Sequence, residues 1–571
     1  MHQPHAEPIV DGQPVRRLLN ARQLAAARQA QATQGRMDHV ASELGFGNEE
    51  QLLRAIGDTL GLEFVELPGT PIDLSLLKGF PVKLIHRLGV FPIRMQDDTL
   101  VVATANPFDL HALDAVSAAS GQSITPAVAL PDELAKLIKS HLGVGAETID
   151  GLMAQQDQRQ GTVEILEELE FDRSDAAEMA QEPSVVRLVN EILTEAIEAR
   201  ASDIHIEAQA SGIKIRYRID GVLQKQPMPP EMNRFYAAII SRLKIMSRMN
   251  IAEKRVPQDG RIKLKVSGRE VDIRVSMIPM LHGEGVVMRI LDKDAMNFSL
   301  LGIGMDEDIY HTFNGLIQLP HGIILVTGPT GSGKTTTLYS ALAEIKDEAT
   351  KIITTEDPIE YQLEGINQIQ VHAKVGLTFA ASLRAILRHD PDVVLVGEIR
   401  DLETAENAVQ ASLTGHLVFS TLHTNDAASA FTRLVDIGVE PFLVTSTVEG
   451  VMAQRLVRTL CKDCREAVDL SQEKLPDDFP RQRCLDEQRT VYRAVGCRAC
   501  RGTGYRGRTG VYELMVNSDE IRRLVAERSP SHLVKQAAMH AGMRTLRDDG
   551  WRKVLLGHTT VDEVVRMAKA D

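Results

Sequence analysis

The stretch that decides the fold of this chain covers residues 322–345 and reads GIILVTGPTGSGKTTTLYSALAEI. An apolar run rich in β-branched residues leads into a glycine-rich turn, and a run of helix-forming residues follows it. The turn fits the spacing G-x-x-x-x-G-K-[ST], whose fixed positions are Gly328, Gly333, Lys334 and Thr335. This order of strand, glycine-rich loop and helix predicts a phosphate-binding loop in an α/β sheet.

The glycine-rich loop carries groups that suit a nucleotide. Glycines let backbone N–H groups wrap around phosphate oxygens, and the N-terminus of the following helix adds positive potential. Lys334 is placed to reach the β- and γ-phosphate oxygens, while the hydroxyl of Thr335 is placed to ligate Mg²⁺. The candidate nucleotide-binding residues are Gly328, Pro329, Thr330, Gly331, Ser332, Gly333, Lys334, Thr335 and Thr336.

Two further apolar runs end in acidic residues. KIITTEDPIEY ends in Glu356, Asp357 and Glu360, and DVVLVGEIRD ends in Glu398. Parallel sheets bind ligands at the carboxyl edge of their strands, so these carboxylates are expected beside the phosphate-binding loop. A solvated acidic turn is the alternative for the first run. The second run is typical of a Walker B strand, with Gly397 where aspartate is usual and Glu398 left to act on the metal or its water.

A fourth apolar run, HLVFSTLHTND, has His416 at its start and His423 at its end. A histidine at a strand end is more often a core residue than a catalytic one, but the carboxyl edge is where such sheets bind ligands. Arg384 and Arg388 in SLRAILRHD lie one helical turn apart and face a nucleotide, a subunit interface or solvent. The sequence therefore offers His423 as a catalytic candidate and leaves the two arginines open.

Two matched C-x-x-C pairs follow the fourth run. Cys461 and Cys464 lie in RLVRTLCKDCREAVDL, and Cys497 and Cys500 lie in GCRACRGTGYRGRTG. A metal site, a pair of redox or disulfide couples, and coincidence are the three interpretations. Four thiolates suit tetrahedral Zn²⁺ without an open position, which indicates a structural zinc site. Cys484 lies alone between the pairs and is not expected to be a ligand.

The composition is that of a soluble globular protein. The 571 residues are 43% hydrophobic and 25% charged, and the net charge of −14 disfavours non-specific binding to nucleic acid. No apolar run approaches the roughly 18 residues that cross a bilayer, so we expect a cytoplasmic protein. In such a reducing compartment the five cysteines argue against a disulfide framework.

The length of the chain predicts several domains. Residues 1–145 mix helical and extended patterns, which indicates a small α/β domain, and the acidic segment 146–182 has the composition of a linker, in part helical. Short strands and two helices across 183–295 predict an α+β domain. Buried strands that alternate with helices across 296–571 predict a parallel α/β sheet, in which the tetracysteine segment 456–510 is an insert.

Four of these segments together resemble the signatures of the secretion ATPase superfamily. They are the Walker A motif GPTGSGKTT, the Asp box TTEDPIE, the atypical Walker B motif LRHDPDVVLVGEIRD and the His box TGHLVFSTLHTNDA. The resemblance also takes in RASDIHIE, RYRIDGVL and AEKRVPQDGRI, covers residues 183–571, and is strongest to the type II secretion and type IV pilus assembly ATPases. It implies a RecA-like P-loop ATPase domain after a PAS-like domain, in a cytoplasmic homohexamer that hydrolyses ATP to power assembly of pilin or pseudopilin fibres.

The resemblance also assigns roles to individual residues. It implies that Glu360 orients or activates the attacking water, that Glu398 acts on Mg²⁺ and the same water, and that His423 senses the γ-phosphate. The arginine fingers of the family come from the preceding domain, here from a strand whose alternate residues share a face. The candidate fingers are Arg216 and Arg218 on this strand, and Arg234, outside the strand, is the alternative.

For the front of the chain the resemblance implies an adaptor domain. In the relatives this domain docks on a membrane-associated partner, and in some it binds a cyclic dinucleotide through an R-L-G-x-x-L-like motif. The nearest segments here, RRLLNARQL and ASELGFGNEEQLLRAIG, depart from that motif. We therefore expect residues 1–145 to dock a cytoplasmic adaptor and an inner-membrane platform protein, and we do not expect cyclic di-GMP to bind. These partners would hold the chain at the inner membrane.

Two rival functions use a similar motor core. A nucleic-acid translocase would use the basic strings RLVRTLCKDCR and CRACRGTGYRGRTG, but the net charge of −14 and the Asp and His boxes count against it. A regulatory nucleotide-binding scaffold would hydrolyse little ATP. In the family, a tetracysteine module after the His box is typical of secretion and pilus-extension members, which favours outward assembly of subunits.

Overall fold

The computed structural model divides the chain into two compact units, Met1–Ile290 and Leu291–Asp571. Among the residues that it describes, no helix is both long enough and apolar enough to cross a bilayer. The described residues are 9–10, 13–14, 18–32, 37–78, 84–85, 88–142, 163–165, 182–266, 268–292, 298–470 and 473–568.

The front of the first unit contains two small sheets. Strand β1 (Ile9–Val10) pairs antiparallel with β2 (Gln13–Pro14). Strand β3 (Val90–Gln96) pairs antiparallel with β4 (Thr99–Thr104), which pairs in parallel with β5 (Ser123–Val128). The helices of this region are α1 (Ala21–Ala32), α2 (Met37–Glu43), α3 (Glu49–Leu60), α4 (Leu110–Ser120) and α5 (Pro131–Leu142), with 3₁₀ turns at Leu67–Gly69 and Leu74–Lys78.

The rest of the first unit is built on a seven-stranded sheet. Its strands are β6 (Val163–Ile165), β7 (Ala201–Gln209), β8 (Gly212–Ile219), β9 (Val222–Lys225), β10 (Gln258–Val266), β11 (Arg269–Met280) and β12 (Gly283–Asp292). They lie in the order β6–β10–β11–β12–β7–β8–β9. Its helices, which share one apolar core with the strands, are α6 (Pro183–Glu198) and α7 (Tyr236–Met246), with a 3₁₀ turn at Pro230–Phe235.

Strand β6 lies inside the segment that the sequence predicts to be a linker. The segment 146–182 is expected to be a linker, in part helical. Its residues 163–165 form a strand antiparallel to β10, and its residues 146–162 and 166–181 lie outside the described part of the chain. In the sequence these residues read V-E-I, an alternation typical of a strand. Three residues inside a long acidic segment are too few for this period to stand out.

The second unit is built on a seven-stranded sheet that is parallel except at one edge. The strands are β13 (Gly322–Thr327), β14 (Ile352–Glu356), β15 (Asn367–Gln370), β16 (Val393–Val396), β17 (Leu417–Leu422), β18 (Val448–Leu460) and β21 (Tyr505–Val516). Their order is β15–β14–β16–β17–β13–β18–β21, and only β21 runs antiparallel to its neighbour. The predicted parallel sheet is therefore present, with one antiparallel addition.

Helices cover both faces of this sheet. Strand β13 shows the consequence, because Ile323 and Leu325 lie in one apolar core while Ile324 and Val326 lie in another. A strand buried on both faces has no polar alternation, which explains its continuous apolar run. The helices are α8 (Glu307–Ile317), α9 (Lys334–Ile345), α10 (Phe379–Ile386), α11 (Leu402–Leu413), α12 (Ala428–Ile437), α13 (Pro441–Thr447), α14 (Arg481–Asp486), α15 (Asp519–Ala526), α16 (Ser531–His540), α17 (Leu546–Leu555) and α18 (Val561–Met567), with a 3₁₀ turn at Ala373–Val375.

Strands β18 and β21 form a long hairpin that carries the cysteine-rich insert at its end. The pairing extends from Gly450 opposite Val516 to Leu460 opposite Tyr505. The insert between these last two residues contains α14 and a ribbon of β19 (Glu466–Ala467) and β20 (Tyr492–Arg493).

The insert packs on the last helices of the chain. Phe479 meets Trp551 of α17 edge to face, with ring centroids 5.5 Å apart, and the Trp551 indole N–H donates to Asp478 Oδ2 at 2.9 Å. At the root of the insert the Leu460 amide donates to the His558 carbonyl at 2.8 Å. The insert and these helices share a small apolar core, which includes the buried Cys484.

Candidate nucleotide site and cysteine cluster

The phosphate-binding loop lies where the sequence places it, between the end of β13 and the start of α9. Gly328, Gly331 and Gly333 have φ angles of 149°, 78° and 91°, which side chains with a Cβ rarely adopt. Helix α9 begins at Lys334, so Thr335 and Thr336 lie in its first turn with free N-terminal amides nearby. The loop therefore has the backbone shape and the helix dipole that anion binding requires.

The polar atoms of the loop fit a phosphate ligand. Lys334 Nζ donates to the carbonyls of Gly328 at 2.8 Å and Pro329 at 3.2 Å, so its ammonium lies within the loop. Burial lowers the pKa of Lys334, because water is removed from the charged form. Within the described part of the chain no group hydrogen-bonds the buried Ser332 Oγ. Phosphate oxygens would satisfy both groups.

Glu398 follows β16 and His423 follows the neighbouring strand β17, and their side chains are in contact at the carboxyl edge of the sheet. Glu398 Oε2 accepts a hydrogen bond from His423 Nε2 at 3.0 Å, and Arg400 pairs with the other carboxylate oxygen. Burial alone would raise the pKa of Glu398, but the hydrogen bonds from Arg400 and His423 outweigh it and lower the pKa. Glu398 is thus an ionised, largely buried carboxylate, suited to Mg²⁺ or to a water nucleophile.

The three carboxylates of the Asp box have different surroundings. Glu356 is buried and accepts hydrogen bonds from Tyr339, from Thr354 Oγ1 at 2.5 Å and from Gln368 Nε2 at 3.1 Å. These hydrogen bonds indicate a structural role for the Glu356 carboxylate, which the sequence does not reveal. The other two carboxylates at this edge are the exposed Asp357 and the half-buried Glu360.

His416, Arg384 and Arg388 are occupied by contacts within the second unit. His416 Nδ1 hydrogen-bonds the Ala411 carbonyl at 2.8 Å, a contact that suits a structural role for this histidine and not a catalytic one. Arg384 pairs with Glu403 of α11, and Arg388 donates to the Arg384 carbonyl at 2.9 Å. Both arginines are largely exposed, in keeping with a solvated face or a subunit interface.

Arg216 and Arg218 of β8 share a face of the first unit's sheet, as their spacing predicts. Arg216 pairs with Glu207, and Arg218 Nε lies 3.5 Å from Asp203 Oδ2. Their carboxylate partners come from β7, which runs antiparallel beside β8. Both guanidinium groups are therefore neutralised within their own sheet in this structure, while Arg234 is exposed.

The four cysteines of the matched pairs come together in the insert. Sulfur–sulfur distances are 3.8 Å for Cys461 and Cys497, 3.7 Å for Cys464 and Cys500, and 3.7 Å for Cys497 and Cys500. A tetrahedron of thiolates at the Zn–S distance of about 2.3 Å has edges of about 3.8 Å. Cys484 lies outside this cluster. The four sulfurs are thus close enough to hold one metal ion, and the distances between them are longer than a disulfide bond.

Backbone amides support the charge of one thiol of this cluster, whereas burial raises the pKa of Cys461 and Cys464. The amide of Cys497 donates to Cys500 Sγ at 3.0 Å, and the amide of Gly504 donates to the same sulfur at 3.1 Å. Burial works against ionisation, but these amides stabilise the thiolate and lower the pKa of Cys500 to about 7. The donor set and its surroundings both suit a divalent cation.

Two residues that the sequence analysis did not single out also lie at the nucleotide site. Strand β13 pairs with β17 on one side and with β18 on the other. Strand β18 places Gln454 and Arg455 beside the phosphate-binding loop. Thr337 of α9 donates to Gln454 Oε1 at 2.7 Å. The run VMAQRLVRTL could have been recognised as a strand, but its place next to β13 depends on contacts distant in sequence.

A parallel sheet with a phosphate-binding loop, an acidic Walker B strand and a histidine at its carboxyl edge defines a P-loop ATPase. Residues 178–566 match the family described as Type II/IV secretion system protein, and residues 60–148 match the MshEN domain. The chain belongs to this secretion ATPase family, whose members hydrolyse ATP to drive protein secretion or pilus assembly.

Relatives cover nearly the whole chain. It is 44% identical over 566 residues to Type II secretion system protein E of Xanthomonas campestris pv. campestris, covering 98% of both chains. It is 40% identical over 550 residues to the Type IV pilus assembly ATPase PilB of Myxococcus xanthus, covering 96% of both. Type II secretion system protein HxcR of Pseudomonas aeruginosa is 54% identical over 385 residues, or 67% of this chain and 77% of that protein. The resemblance inferred from the motifs is confirmed.

Proposed function

We propose that this chain is a cytoplasmic homohexameric ATPase that powers the assembly of pilin or pseudopilin fibres, in type II secretion or in type IV pilus extension. The observation that carries the proposal is the meeting of Lys334, Glu398 and His423 at one edge of a P-loop sheet. Relatives named for each of the two machines match almost the whole length of the chain. Both machines therefore remain within the proposal.

The proposed roles follow from the placement of the groups. Residues 328–336 hold the phosphates of ATP, with Lys334 neutralising their charge and Thr335 ligating Mg²⁺. Glu398 holds Mg²⁺ or its water, and His423, hydrogen-bonded to Glu398, senses the γ-phosphate. Glu360 orients the attacking water. Phosphoryl transfer needs positioning and charge neutralisation more than covalent chemistry, and these residues supply both.

Arg216 and Arg218 are proposed as arginine fingers that complete this site. A guanidinium group neutralises charge that develops on the transferred phosphoryl group. Each guanidinium group lies near a carboxylate of β7. To bind phosphate, Arg216 would have to leave Glu207, and Arg218 would have to leave Asp203. Such an exchange would couple ATP binding to a movement of β8 side chains.

Residues 1–145 are proposed to dock the motor on a membrane-associated adaptor and on an inner-membrane platform protein. The MshEN match at residues 60–148 supports a discrete domain at this end of the chain. The segments that depart from the R-L-G-x-x-L-like pattern support protein docking over cyclic di-GMP binding. The proposed location is the cytoplasmic side of the inner membrane.

A gene deletion complemented in the same strain tests the proposed function. Wild-type protein is expected to restore export of secreted enzymes or surface pili, whichever the deletion abolishes, and Lys334→Ala is expected to restore neither. Export assays and counts of surface fibres are scored separately. The readout that is lost in the deletion strain shows whether the chain serves type II secretion or pilus extension. A deletion that leaves both intact contradicts the proposal, and hydrolysis stimulated by single-stranded DNA in a salt-sensitive manner would favour a translocase.

The cysteine cluster is proposed to hold one structural Zn²⁺. Purified protein is expected to contain about one zinc per chain, since four thiolates close the coordination shell. Cys461→Ser should remove most of the metal and lower the melting temperature by several degrees, because metal binding contributes folding free energy. Metal content is measured by plasma mass spectrometry and stability by calorimetry.

Cys484→Ser is the matched control for the zinc experiment, because Cys484 is buried in the same insert but lies outside the cluster. This variant should keep its full metal content. A zinc-free preparation with wild-type stability would contradict a structural metal.

A further inference from the structure

Strand β18 lies directly behind the phosphate-binding loop. A Cβ added to Gly328 would lie 2.6 Å from the Gln454 carbonyl oxygen and 3.2 Å from Arg455 Nη1. A Cβ added to Gly333 would lie 2.8 Å from Gln454 Nε2. The two ends of the loop therefore rest against consecutive residues of one strand.

Arg455 connects this strand to the His box. Its Nη2 group donates to the backbone carbonyl of Asn425 at 3.3 Å and to Asn425 Oδ1 at 3.1 Å. Its Nη1 group donates to the Gln454 carbonyl at 3.3 Å. Asn425 follows His423 by two residues, so one guanidinium group spans the His box segment and the support of the loop.

The His box segment is also tied to β13 by hydroxyl groups. The Thr424 amide donates to Thr327 Oγ1 at 2.9 Å, and the two threonine hydroxyls lie 2.6 Å apart. Thr327 is the last residue of β13, immediately before Gly328. The backbone on both sides of Thr424 is therefore fixed, on one side by Thr327 and on the other by Arg455.

Arg455 is held by hydrogen bonds to neutral oxygens. Across the described residues no carboxylate pairs with this half-buried guanidinium, whose acceptors are a carbonyl of its own strand and the oxygens of Asn425. Arg458 of the same strand differs, because it pairs with Glu563 at 2.7 Å. Burial lowers the pKa of Arg455, in keeping with a cation that lacks a close counter-ion.

We infer that Arg455 is a positioning residue for ATP hydrolysis, which holds the His box segment against the phosphate-binding loop so that His423 stays aligned with Glu398. The inference rests on the proposed nucleotide site. The two arms of the planar guanidinium fork bond Asn425 through Nη2 and the Gln454 carbonyl through Nη1, and a lysine ammonium, with a single nitrogen, cannot place donors at both positions. Misplacement of a catalytic group by about 1 Å can cost roughly 100-fold in rate.

Two variants test this role in the full-length protein. Arg455→Lys keeps the charge and loses the fork, and Asn425→Ala removes the acceptor side chain. Each is expected to lower kcat by about tenfold or more while the Kd for ATP, measured by titration with a fluorescent ATP analogue, changes less than about threefold. The double variant should lose no more than the worse single variant, because both remove one interaction.

Arg523→Lys is the matched control, because Arg523 is an exposed arginine of α15 that pairs with Glu520 of the same helix and with Glu527 just beyond its end. It should keep wild-type kcat and Kd. Full kcat in Arg455→Lys, a parallel loss of ATP affinity, or losses that multiply in the double variant would each overturn the positioning role.

Lys334→Ala in the same assay separates the two levels of inference. If Lys334→Ala is inactive and Arg455→Lys has wild-type kcat, the positioning role alone fails. If Lys334→Ala still hydrolyses ATP, the nucleotide site itself is wrongly placed and the role of Arg455 falls with it.

Discussion

Lys334→Ala is expected to abolish ATP hydrolysis and to weaken ATP binding. The Lys334 ammonium lies within the loop, bonded to the carbonyls of Gly328 and Pro329, where the phosphates of a nucleotide would meet it. Loss of this charge removes stabilisation of both the bound phosphates and the transition state, so kcat/KM should fall at least about 100-fold. Release of phosphate in steady state and equilibrium titration with ATP measure the two effects.

Lys346→Ala provides the control for charge. Lys346 is exposed just beyond the end of α9, so its removal changes the net charge equally without touching the loop. It should hydrolyse ATP like the wild type. Normal turnover by purified Lys334→Ala would show that another site binds the nucleotide.

Glu398→Gln is expected to bind ATP and to lose turnover by about 100- to 1000-fold. Glutamine keeps the shape of the side chain and can still bond His423, but it lacks the negative charge that holds Mg²⁺ or activates water. Because the loop itself is unchanged, the Kd for ATP should stay near that of the wild type. Binding titrations and single-turnover hydrolysis distinguish these two quantities.

Glu406→Gln is the matched substitution, since Glu406 is an exposed carboxylate on α11, away from the carboxyl edge. Its turnover should be unaffected. Loss of ATP binding together with turnover in Glu398→Gln would indicate that Glu398 supports the loop and does not act on the metal or water.

The parts of the site that the sequence predicts are those encoded locally. The loop with Lys334 follows from glycine spacing between a strand and a helix, and the acidic end of β16 follows from an apolar run and its last residues. Even the meeting of Glu398 with His423 follows in outline, because parallel strands share a carboxyl edge. The four cysteines gather for a similar reason, since matched pairs of thiols can close one tetrahedral site.

The parts that the sequence does not predict depend on neighbours far along the chain. Glu356 has the same signature as a ligand carboxylate, but Tyr339 and Gln368 surround it with hydrogen bonds. Arg455 lies in a string whose basic character suggests nucleic acid, and only the pairing of β18 with β13 brings it to the loop. The number of like-charged residues in a segment does not reveal which of them face a site.

The arginines of β8 show an intermediate case. Alternation in the sequence predicts that Arg216 and Arg218 share a face, and the structure has them on one face. Their carboxylate partners could be anticipated only from the register of β7 against β8, because Glu207 and Asp203 lie in a separate segment. The alternation of residues along one strand predicts which face of the sheet each side chain lies on, whereas the register between two strands determines which side chains are paired.

The hairpin of β18 and β21 bears on how such motors gain or lose a module. Leu460 and Tyr505 are paired, so the ends of the insert emerge side by side, about 5 Å apart. Excision with a short replacement turn would leave the ladder of the hairpin intact. The face of α17 around Trp551 would nevertheless lose its cover, since Phe479 of the insert packs against it. Insert and C-terminal helices are therefore one transplantable part, and grafting either without the other would expose an apolar surface.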